Sequence, residues 1–511
     1  MSSADFLVIF AYFLILLLIT LHVTKQGATT SDFFSGHHDL PWWALCLSLV
    51  ATETSTLTFI SVPGVGYTNG MVFVGLACGY LIGRIIVAVW FLPLYAQGHF
   101  VSVYQQLGQR FGCPVQQLAS GVFLLTRLIG EGVRLATGML PLVWMMTQSG
   151  LLLDQSTLLI GILAVTAVYT LTGGLRAVIW SDTLQLAIYG LGAFLCVYLF
   201  ASHPVNFGWL QAQMSGKFSL FHSGHGTFFN GAFTPSAALV GGTILSLASH
   251  GTDQLMVQRV LAARTLGAAR MALIGSAIVV GVLFFLLSLV GIELWMRNQG
   301  ASLATFGLHT PDELFPYAIV FDLPAGLRGL LIAGVLSATM GSLSATLNAM
   351  ATASMTDFSV FRTAVVKMLA YLGVTGRSDV FVARTITIFW GVAIFLATLF
   401  MAGSAQSAVI VGLSIAGWSW GPVLGAFLYG MVFKQAQGRD VAKGLVGALV
   451  LMAFVLVGAP RLGVHIAFPW LVPLGLILLF LLAGLSRFVL GVHLAPHQNH
   501  LEEHTCHDTT R

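Results

Sequence analysis

Long apolar segments alternate with short polar stretches along almost the whole chain. A helix needs about 20 consecutive, mainly apolar residues to cross a bilayer. Thirteen segments meet this requirement, and they start near residues 5, 41, 71, 116, 157, 178, 237, 271, 327, 381, 406, 441 and 467. The longest stretch between consecutive segments has 33 residues, from 204 to 236. The pattern therefore predicts an all-α polytopic membrane protein with a single transmembrane domain over residues 1–490.

Polar side chains interrupt the second apolar segment over residues 48–64. This stretch contains Glu53 and a run of hydroxyl residues, and it ends in Pro63 and Gly64. An unpaired carboxylate in hydrocarbon costs at least about 2.5 kcal/mol. Irregular backbone at this depth is tolerated only inside protein or beside a water-filled cavity. The segment is therefore predicted to line a polar path for an ion or a solute.

Two further segments share this polar character. Residues 329–348 carry Ser342, Ser344 and Thr346 among small residues, which fits either close helix packing or coordination of a cation by hydroxyl oxygens. Residues 246–254 interrupt the seventh apolar segment, five segments after the first interruption. Discontinuous helices in corresponding places are typical of secondary transporters that consist of two inverted repeats.

Three arginines lie within apolar segments and need partners there. Arg127, Glu131 and Arg134 recur at i, i+4 and i+7, so they form one charged stripe along one helix. Two interpretations stay open: a structural ladder of ion pairs, or a clamp for a substrate carboxylate, which a guanidinium can hold through two hydrogen bonds. Arg84 can partner either Glu53 or a backbone carbonyl.

The composition supports the membrane assignment, because 57% of the residues are hydrophobic and only 8% are charged, whereas soluble domains are about 25% charged. No segment contains HExxH or GxSxG, and no GKS/T motif follows the glycines at 173 and 174. We therefore predict neither an enzyme nor a nucleotide-binding protein.

The distribution of basic residues predicts the orientation in the membrane. One set of loops, with the C-terminal tail, holds fifteen of the 22 Lys and Arg residues, Arg259 among them, while the opposite set holds four. Basic residues near span ends stay cytoplasmic. The N-terminus is thus predicted outside the plasma membrane and the C-terminus inside. The His-rich tail, 491–511, can bind metal along one helix face, although its polarity favours disorder.

Four segments resemble the sodium/solute symporter family, which includes sodium-coupled sugar, proline, pantothenate and sialic acid transporters. The match runs from about residue 5 to 485. It is carried by ATETSTLTFISVPGVGY (51–67), YTLTGGLRAVIWSDTLQ (169–185), GTDQLMVQRVLAAR (251–264) and GLLIAGVLSATMGSLSATLNAMATASMTDF (329–358). The resemblance implies a five-plus-five inverted-repeat core with an extra helix before it and two after it. The corresponding ranges are 5–24 for the extra helix, 41–202 and 237–432 for the two repeats, and 441–490 for the last two helices.

The resemblance also implies a set of sodium ligands. The main site would use the backbone carbonyls of Ala51, Thr54 and Ala338 and the hydroxyl of Ser342. Relatives usually have a second hydroxyl just before that serine, where this chain has Gly341. We expect Glu53, close to Ala51, to compensate with a carboxylate oxygen or to titrate as a proton site.

A second sodium ion, where relatives carry one, would lie near Asp182 and Ser344. This chain has Gly341 and Ala345 where relatives have hydroxyls. A second ion is therefore less well supported than the first.

For the solute, the positions that contact ligand in the sialic acid relatives correspond to Ser55 and Thr58, which keep hydroxyls, and to Glu53 and Ala77, which differ. The family's carboxylate-binding arginine aligns with Gly130, while Arg127 and Arg134 lie within one turn of it. These residues favour a small organic acid or zwitterion, and a neutral sugar stays open.

The expected function is sodium-coupled symport of a small organic solute by alternating access. The alternatives are a proton-coupled symporter of the same fold and a transport-like membrane sensor. The expected partners are the solute and the lipid bilayer, with no nucleic acid, and a monomer is the expected state.

Overall fold

The structure is a computed structural model, and it is α-helical in nearly all of the residues it describes. These residues are 1–24, 33–34, 36, 39–98, 100–202, 208–222, 229–371, 378–401 and 408–491. Within these ranges the only strand-like pairing is an isolated bridge between Leu40 and Ala263. The His-rich tail beyond residue 491 lies outside the described residues. The predicted all-α class is confirmed.

Nineteen α-helices form within the described ranges. The first nine are α1 (Ser3–Thr24), α2 (Trp42–Glu53), α3 (Thr56–Asn69), α4 (Val72–Ile86), α5 (Leu92–Gly98), α6 (Tyr104–Phe111), α7 (Cys113–Gln148), α8 (Gln155–Ser202) and α9 (Trp209–Met214). The other ten are α10 (Gly242–Gly251), α11 (Gln254–Leu261), α12 (Leu266–Arg297), α13 (Leu314–Phe321), α14 (Leu327–Asp357), α15 (Ser359–Tyr371), α16 (Asp379–Phe400), α17 (Ala408–Val432), α18 (Gly438–Val457) and α19 (Phe468–Gly491).

The first interrupted segment is a bent pair of helices. The chain turns by 71° between α2 and α3, because Thr54 and Ser55 have extended backbone with ψ angles of 91° and 172°. Pro63 and Gly64, which the sequence suggested as part of the irregular stretch, lie inside α3 instead. Gly64 permits close packing, since an added Cβ would lie 1.9 Å from the carbonyl oxygen of Pro311.

The second interruption lies between α10 and α11. Thr252 and Asp253 leave the helical conformation there, and the carboxylate of Asp253 caps α11 by accepting a hydrogen bond of 2.9 Å from the backbone N–H of Leu255. Both predicted interruptions are therefore present. The inverted symmetry between the two halves stays a prediction.

The number of membrane crossings, predicted as thirteen, also stays a prediction. Among the described residues nine helices are long and apolar enough to cross a membrane, or ten if α2 and α3 count as one span. Two predicted segments, near 157 and 178, both fall in the 48-residue α8, which bends at Gly174, where φ is +57°. Helix α7, which carries the charged stripe, is not among the nine.

Helix α14 lies at the centre of the bundle. Of its most apolar stretch 94% is buried, compared with 17% for α1. Hydroxyl residues are tolerated along α14 because they bond back to its own carbonyls, as Ser337 does to Gly334 and Ser344 does to Gly341. The polar residues of α14 therefore face protein rather than lipid.

Candidate functional site

A cavity of about 100 Å³ lies where the two helix interruptions and α7 meet. Side chains from both interruptions and from α7 line it, with apolar residues of α4, α12 and α17 on the remaining sides. The polar lining residues are Thr52, Glu53, Ser55, Thr58, Tyr80, Arg127, Arg134, Ser249 and His250. Five of the residues singled out in the sequence (Glu53, Ser55, Thr58, Arg127 and Arg134) are therefore brought together around one space.

Glu53, the last residue of α2, forms an ion pair with Arg84 of α4. The arginine side chain is completely buried and also donates a hydrogen bond of 2.5 Å to the hydroxyl of Ser276. Of the two partners that the sequence allowed for Arg84, the structure therefore selects the carboxylate. The pairing removes the cost of an isolated charge at the first helix break.

His250 approaches the same carboxylate from the second interruption. Its Nε2 atom lies 4.0 Å from Oε2 of Glu53, and its Nδ1 atom is 2.8 Å from the hydroxyl of Ser249. The ring is almost completely buried, and Nε2 has no hydrogen-bond partner among the described residues. The sequence analysis did not select His250, although its place inside the interrupted stretch 246–254 was a usable signal.

The charged stripe of α7 does not form a continuous ladder. Arg127 turns to Asp253 at the second helix break, and Asp253 also accepts a hydrogen bond of 2.7 Å from the indole of Trp420. The guanidinium lies 5.7 Å from the centre of the Trp420 ring and 5.9 Å from that of Phe123. Arg127 is thus held by a carboxylate and two aromatic faces.

Arg134 pairs instead with Glu131 of its own helix, at 3.2 Å. Glu131 is buried, whereas the Arg134 side chain is 22% exposed. The Glu131 carboxylate also accepts hydrogen bonds of 3.3 Å from Ser342 and from Thr346 of α14. Arg134 is therefore the more accessible of the two arginines of α7 that line the cavity.

The residues expected at the main sodium site lie where the first helix break meets α14. The N–H of Ser55 donates to Glu53 O at 3.1 Å, so the carbonyl of Ala51 lacks the partner that a continuous helix would give it. A hydrogen bond of 2.6 Å between Thr56 and Thr339 holds the break against α14. Ala338 directly precedes Thr339, and the hydroxyl of Ser342 donates a hydrogen bond of 3.2 Å to the carbonyl of Thr339. All of these residues except Glu53 are buried.

Carbonyl and hydroxyl oxygens are the type of ligand that a small hard cation prefers. Carbonyls freed by unwinding and neutral hydroxyls are the ligands that coordinate sodium in broken-helix transporters. The hydroxyl of Thr54 is buried and has no hydrogen-bond partner in the described part of the chain. Ser342 supplies one hydroxyl from α14, and Gly341 supplies none. The assignment of individual ligands stays a prediction.

At the place expected for a second sodium ion, Asp182 already has a cationic partner. Its carboxylate accepts hydrogen bonds of 2.7 Å from Ser48 and 3.2 Å from the Arg259 guanidinium. Ser344 is not among these partners, since its hydroxyl donates to the carbonyl of Gly341.

The assignment of Arg259 to a loop was wrong. Its side chain is 1% exposed, because it reaches from α11 into the bundle to meet Asp182.

Gln185 lies beside Gly341 and was also missed. A Cβ added to Gly341 would lie 2.6 Å from the side-chain oxygen of Gln185. Neither the oxygen nor the nitrogen of this amide has a hydrogen-bond partner within the described ranges. The Gln185 amide therefore takes up the space that a side chain at position 341 would need.

Ala77 is the one predicted solute-contact residue that is absent from the lining of this cavity. It is buried on α4, close to the cavity-lining residues Phe73 and Tyr80. Its role stays a prediction.

A second, larger cavity of about 730 Å³ lies beside the C-terminal part of α7, after the residues that line the first cavity. Thr137, three residues after Arg134, lines this larger cavity together with Trp144 and Tyr317. Residues three apart on a helix lie on the same face. One face of α7 therefore passes from the smaller cavity into the larger one.

A cavity at two helix breaks, bordered by charges inside an apolar helix bundle, defines the class of a membrane transporter for small solutes. The model of the Sodium:solute symporter family matches residues 33–396. The chain belongs to this family and is a sodium-coupled solute symporter. The resemblance noted in the sequence and sodium as the coupling ion are both confirmed.

The chain is similar to curated transporters over most of its length. It is 26% identical to sodium-coupled monocarboxylate transporter 2 of Bos taurus, over 85% of this chain and 69% of the relative. It is 24% identical to the sodium/sialic acid symporter NanT of Aliivibrio fischeri, over 89% of this chain and 88% of the relative. These relatives are transporters, which confirms that the chain is not an enzyme.

The fold is similar to that of a Na+-coupled sialic acid symporter solved in a substrate-bound, outward-open state. The TM-score is 0.78 at 23% identity, and the match covers 97% of this chain and 99% of that one. At this identity the likeness shows the fold.

Proposed function

We propose that the protein imports a small organic acid or zwitterion together with sodium by alternating access across the plasma membrane. The N-terminus lies outside and the C-terminus inside, with helix 5–24 before the repeats 41–202 and 237–432, helices 441–490 after them, and the tail 491–511 in the cytoplasm. The observation that carries the proposal is the cavity at the junction of both helix breaks with Arg134 at its edge.

Arg134 is the proposed ligand of the solute carboxylate. Arg127 is held by Asp253 and by two aromatic rings, and its side chain is only 9% exposed, so it is poorly placed to turn towards a solute. Arg134 is more exposed, and its ion pair with Glu131 is longer, at 3.2 Å. Ser55 and Thr58 line the same cavity and provide hydroxyls for the polar groups of the solute. The matched relatives named for monocarboxylates and sialic acid carry acids, which supports this choice.

The proposed sodium ligands are the carbonyls of Ala51, Thr54 and Ala338 and the hydroxyl of Ser342. Glu53 adds negative charge beside this site. Its contacts with Arg84 and His250 both use Oε2, which leaves Oε1 available to the cation.

We propose one sodium ion per solute, for two reasons. Arg259 already neutralises Asp182 through its Oδ2 atom. The Oδ1 atom has no hydrogen-bond partner among the described residues, but it lies towards Gly341, which supplies no hydroxyl for a second ion. One sodium ion that crosses about 100 mV gains roughly 2.3 kcal/mol. A tenfold concentration gradient adds about 1.4 kcal/mol. The sum allows accumulation of the solute on the order of 500-fold.

Entry to the site is proposed through the larger cavity. It lies at the C-terminal end of α7, and α7 runs outward if the N-terminus of the chain is outside. The solute would thus meet Thr137 before Arg134.

A proton-coupled symporter is the second candidate, and one observation favours it. His250 and Glu53 both line the cavity, with Nε2 of His250 4.0 Å from Oε2 of Glu53, and this Nε2 has no hydrogen-bond partner among the described residues. A proton bound between these two groups would add one positive charge to the cavity, as a bound sodium ion would.

Thermal unfolding of the purified protein in sodium or potassium, with carboxylates, amino acids and sugars, tests the proposal. We expect sodium to raise the unfolding temperature and one carboxylate or zwitterion to raise it further, only in sodium. Uptake into proteoliposomes then has to require sodium. A solute effect that is equal in both salts and grows at low pH would move the conclusion to proton coupling, and binding without accumulation would indicate a sensor.

A further inference from the structure

Glu131 is a buried carboxylate that the proposed sites do not use, although it contacts both of them. We propose that Glu131 couples sodium binding to solute binding by exchanging its counter-charge. In this mechanism Arg134 neutralises Glu131 in the empty protein, and sodium neutralises it when Arg134 turns to the solute. The inference rests on the proposed function and adds the residue that links its two ligands.

The geometry places Glu131 between the two sites. One carboxylate oxygen accepts a hydrogen bond from Ser342, the proposed sodium ligand, and the other accepts one from Thr346 and contacts Arg134. Ser342 and Thr346 are four residues apart, so they lie on one face of α14. The carboxylate therefore bridges the helix of the sodium site and the arginine of the solute site.

The hydroxyl of Ser342 can contact sodium and the Glu131 carboxylate at the same time. A hydroxyl has two lone pairs and one hydrogen. In the empty protein this hydrogen has two acceptors, the Glu131 carboxylate at 3.3 Å and the carbonyl of Thr339 at 3.2 Å. When the oxygen coordinates sodium, the hydrogen can donate to Glu131. Sodium at this oxygen therefore lies one hydroxyl away from the Glu131 carboxylate. Because Gly341 provides no second hydroxyl, the negative charge of Glu131 becomes more important for binding the cation.

Because Glu131 is buried, it needs a new cation, the sodium ion, whenever Arg134 turns to the solute. The residue is 1% exposed, and Arg134 is the cation with which it forms an ion pair in the described part of the chain. Removing the partner of a buried charge is strongly unfavourable. Without sodium, a solute that draws Arg134 away would leave Glu131 uncompensated. With sodium at Ser342, the positive charge is already in place, so the solute binds more tightly.

The other buried acids around the site cannot play this part. Asp253 and Asp182 are paired with Arg127 and Arg259, whose side chains are only 9% and 1% exposed. Those arginines are not accessible to a solute to the extent that Arg134, at 22%, is.

The test compares the coupling between the two ligands in the full-length wild type and in Glu131→Gln. The probes are sodium against potassium, and whichever of lactate, pyruvate, N-acetylneuraminate or proline stabilises the wild type most. The quantity measured is the factor by which saturating sodium lowers the dissociation constant of that compound. Linkage requires the compound to lower the dissociation constant of sodium by the same factor, so both are measured.

We expect a factor of about five or more in the wild type, the lower end of ordinary coupling between sites, and less than about twofold in Glu131→Gln. Each ligand should still bind that variant alone. Glu293→Gln is the matched control, because Glu293 is also a buried acid of a membrane helix and does not line the cavity. This control should keep the wild-type factor.

A wild-type factor in Glu131→Gln would overturn the inference and leave the symporter proposal intact. If sodium fails to stabilise the wild type more than potassium does, the proposed function fails, and the inference falls with it. Should Glu131→Gln not fold, Glu131→Asp decides, because it keeps the charge and shortens the reach to Ser342. A drop of the factor to less than half supports the inference, and an unchanged factor overturns it.

Discussion

The guanidinium of Arg259 lies 3.2 Å from the carboxylate of Asp182, and both side chains are almost completely buried. A cation that belongs to the protein thus stands beside the acid where relatives with two sodium ions are expected to bind the second. The structure therefore bears directly on the number of ions that drive transport.

We expect one sodium ion per solute, with a Hill coefficient of 1 for sodium in uptake. The reason is that the negative charge of Asp182 is already neutralised. Reversal-potential measurements in proteoliposomes at set sodium and solute gradients give the ratio directly. A ratio of two would mean that sodium displaces Arg259 or binds elsewhere.

The ion pair between Asp182 and Arg259 should also contribute to the free energy of unfolding. Arg259→Met should destabilise the protein by about 3–5 kcal/mol, because it leaves a buried carboxylate unpaired. Asp182→Asn combined with Arg259→Met should recover most of this loss, since both charges are gone. Thermal unfolding of the single and double variants checks the expectation. If the double variant is no more stable than Arg259→Met, the pair is not the reason for the loss.

Gly341→Ser tests why the proposed sodium site of this chain has one hydroxyl fewer than is usual in the family. The new Cβ would lie 2.6 Å from the Gln185 oxygen, and such overpacking typically costs about 1–3 kcal/mol. We expect the single variant to be less stable without better sodium binding. Gly341→Ser with Gln185→Ala should regain stability and bind sodium more tightly than Gln185→Ala alone. Gly341→Ala with Gln185→Ala is the control that restores the volume but not the hydroxyl.

The two arginines of α7 should give different results when each is replaced by glutamine. Arg134→Gln should weaken binding of the carboxylate by about 10- to 150-fold, which corresponds to a lost charged hydrogen bond of about 1.5–3 kcal/mol. Arg127→Gln should mainly lower the unfolding temperature, because it leaves Asp253 buried without its cation. Titration calorimetry and thermal unfolding of both variants separate the two roles. Equal loss of affinity in both would contradict the assignment.

Glu53→Gln should raise the sodium concentration that gives half-maximal uptake about tenfold, equivalent to roughly 1.4 kcal/mol. The carboxylate adds negative charge beside the proposed cation site and faces the cavity. Uptake at varied sodium measures the effect, with Arg84→Gln as the variant that breaks the same ion pair but keeps the carboxylate. Unchanged sodium dependence in Glu53→Gln would remove Glu53 from the cation site.

Much of the fold could be predicted from the sequence because hydrocarbon imposes simple rules. The lengths of the apolar segments indicated the helices. The position of Glu53 among hydroxyl residues inside an apolar segment indicated the first helix break. The partner of Arg84 was among the options because a buried arginine needs an acceptor and few acids are available in the spans.

The partners of Arg127 and Arg259 could not be predicted in the same way. Asp253 lies in the second break and Arg259 follows it within a few residues, and a charge near a break resembles a loop residue in the sequence. Only the packing of α11 into the bundle shows that both are buried. Gln185 was missed for a related reason: an amide beside a glycine gives no periodic signal, and its position depends on the contact of α8 with α14.

The ion pair between Arg127 and Asp253 joins residues 126 positions apart in the chain. During synthesis, α7 therefore enters the membrane long before its acid has been translated. Until α11 has been made, Arg127 lacks the carboxylate that neutralises it in the finished bundle. A chain that stops before residue 253 therefore carries an intramembrane arginine without this partner, and such a charge is costly in hydrocarbon.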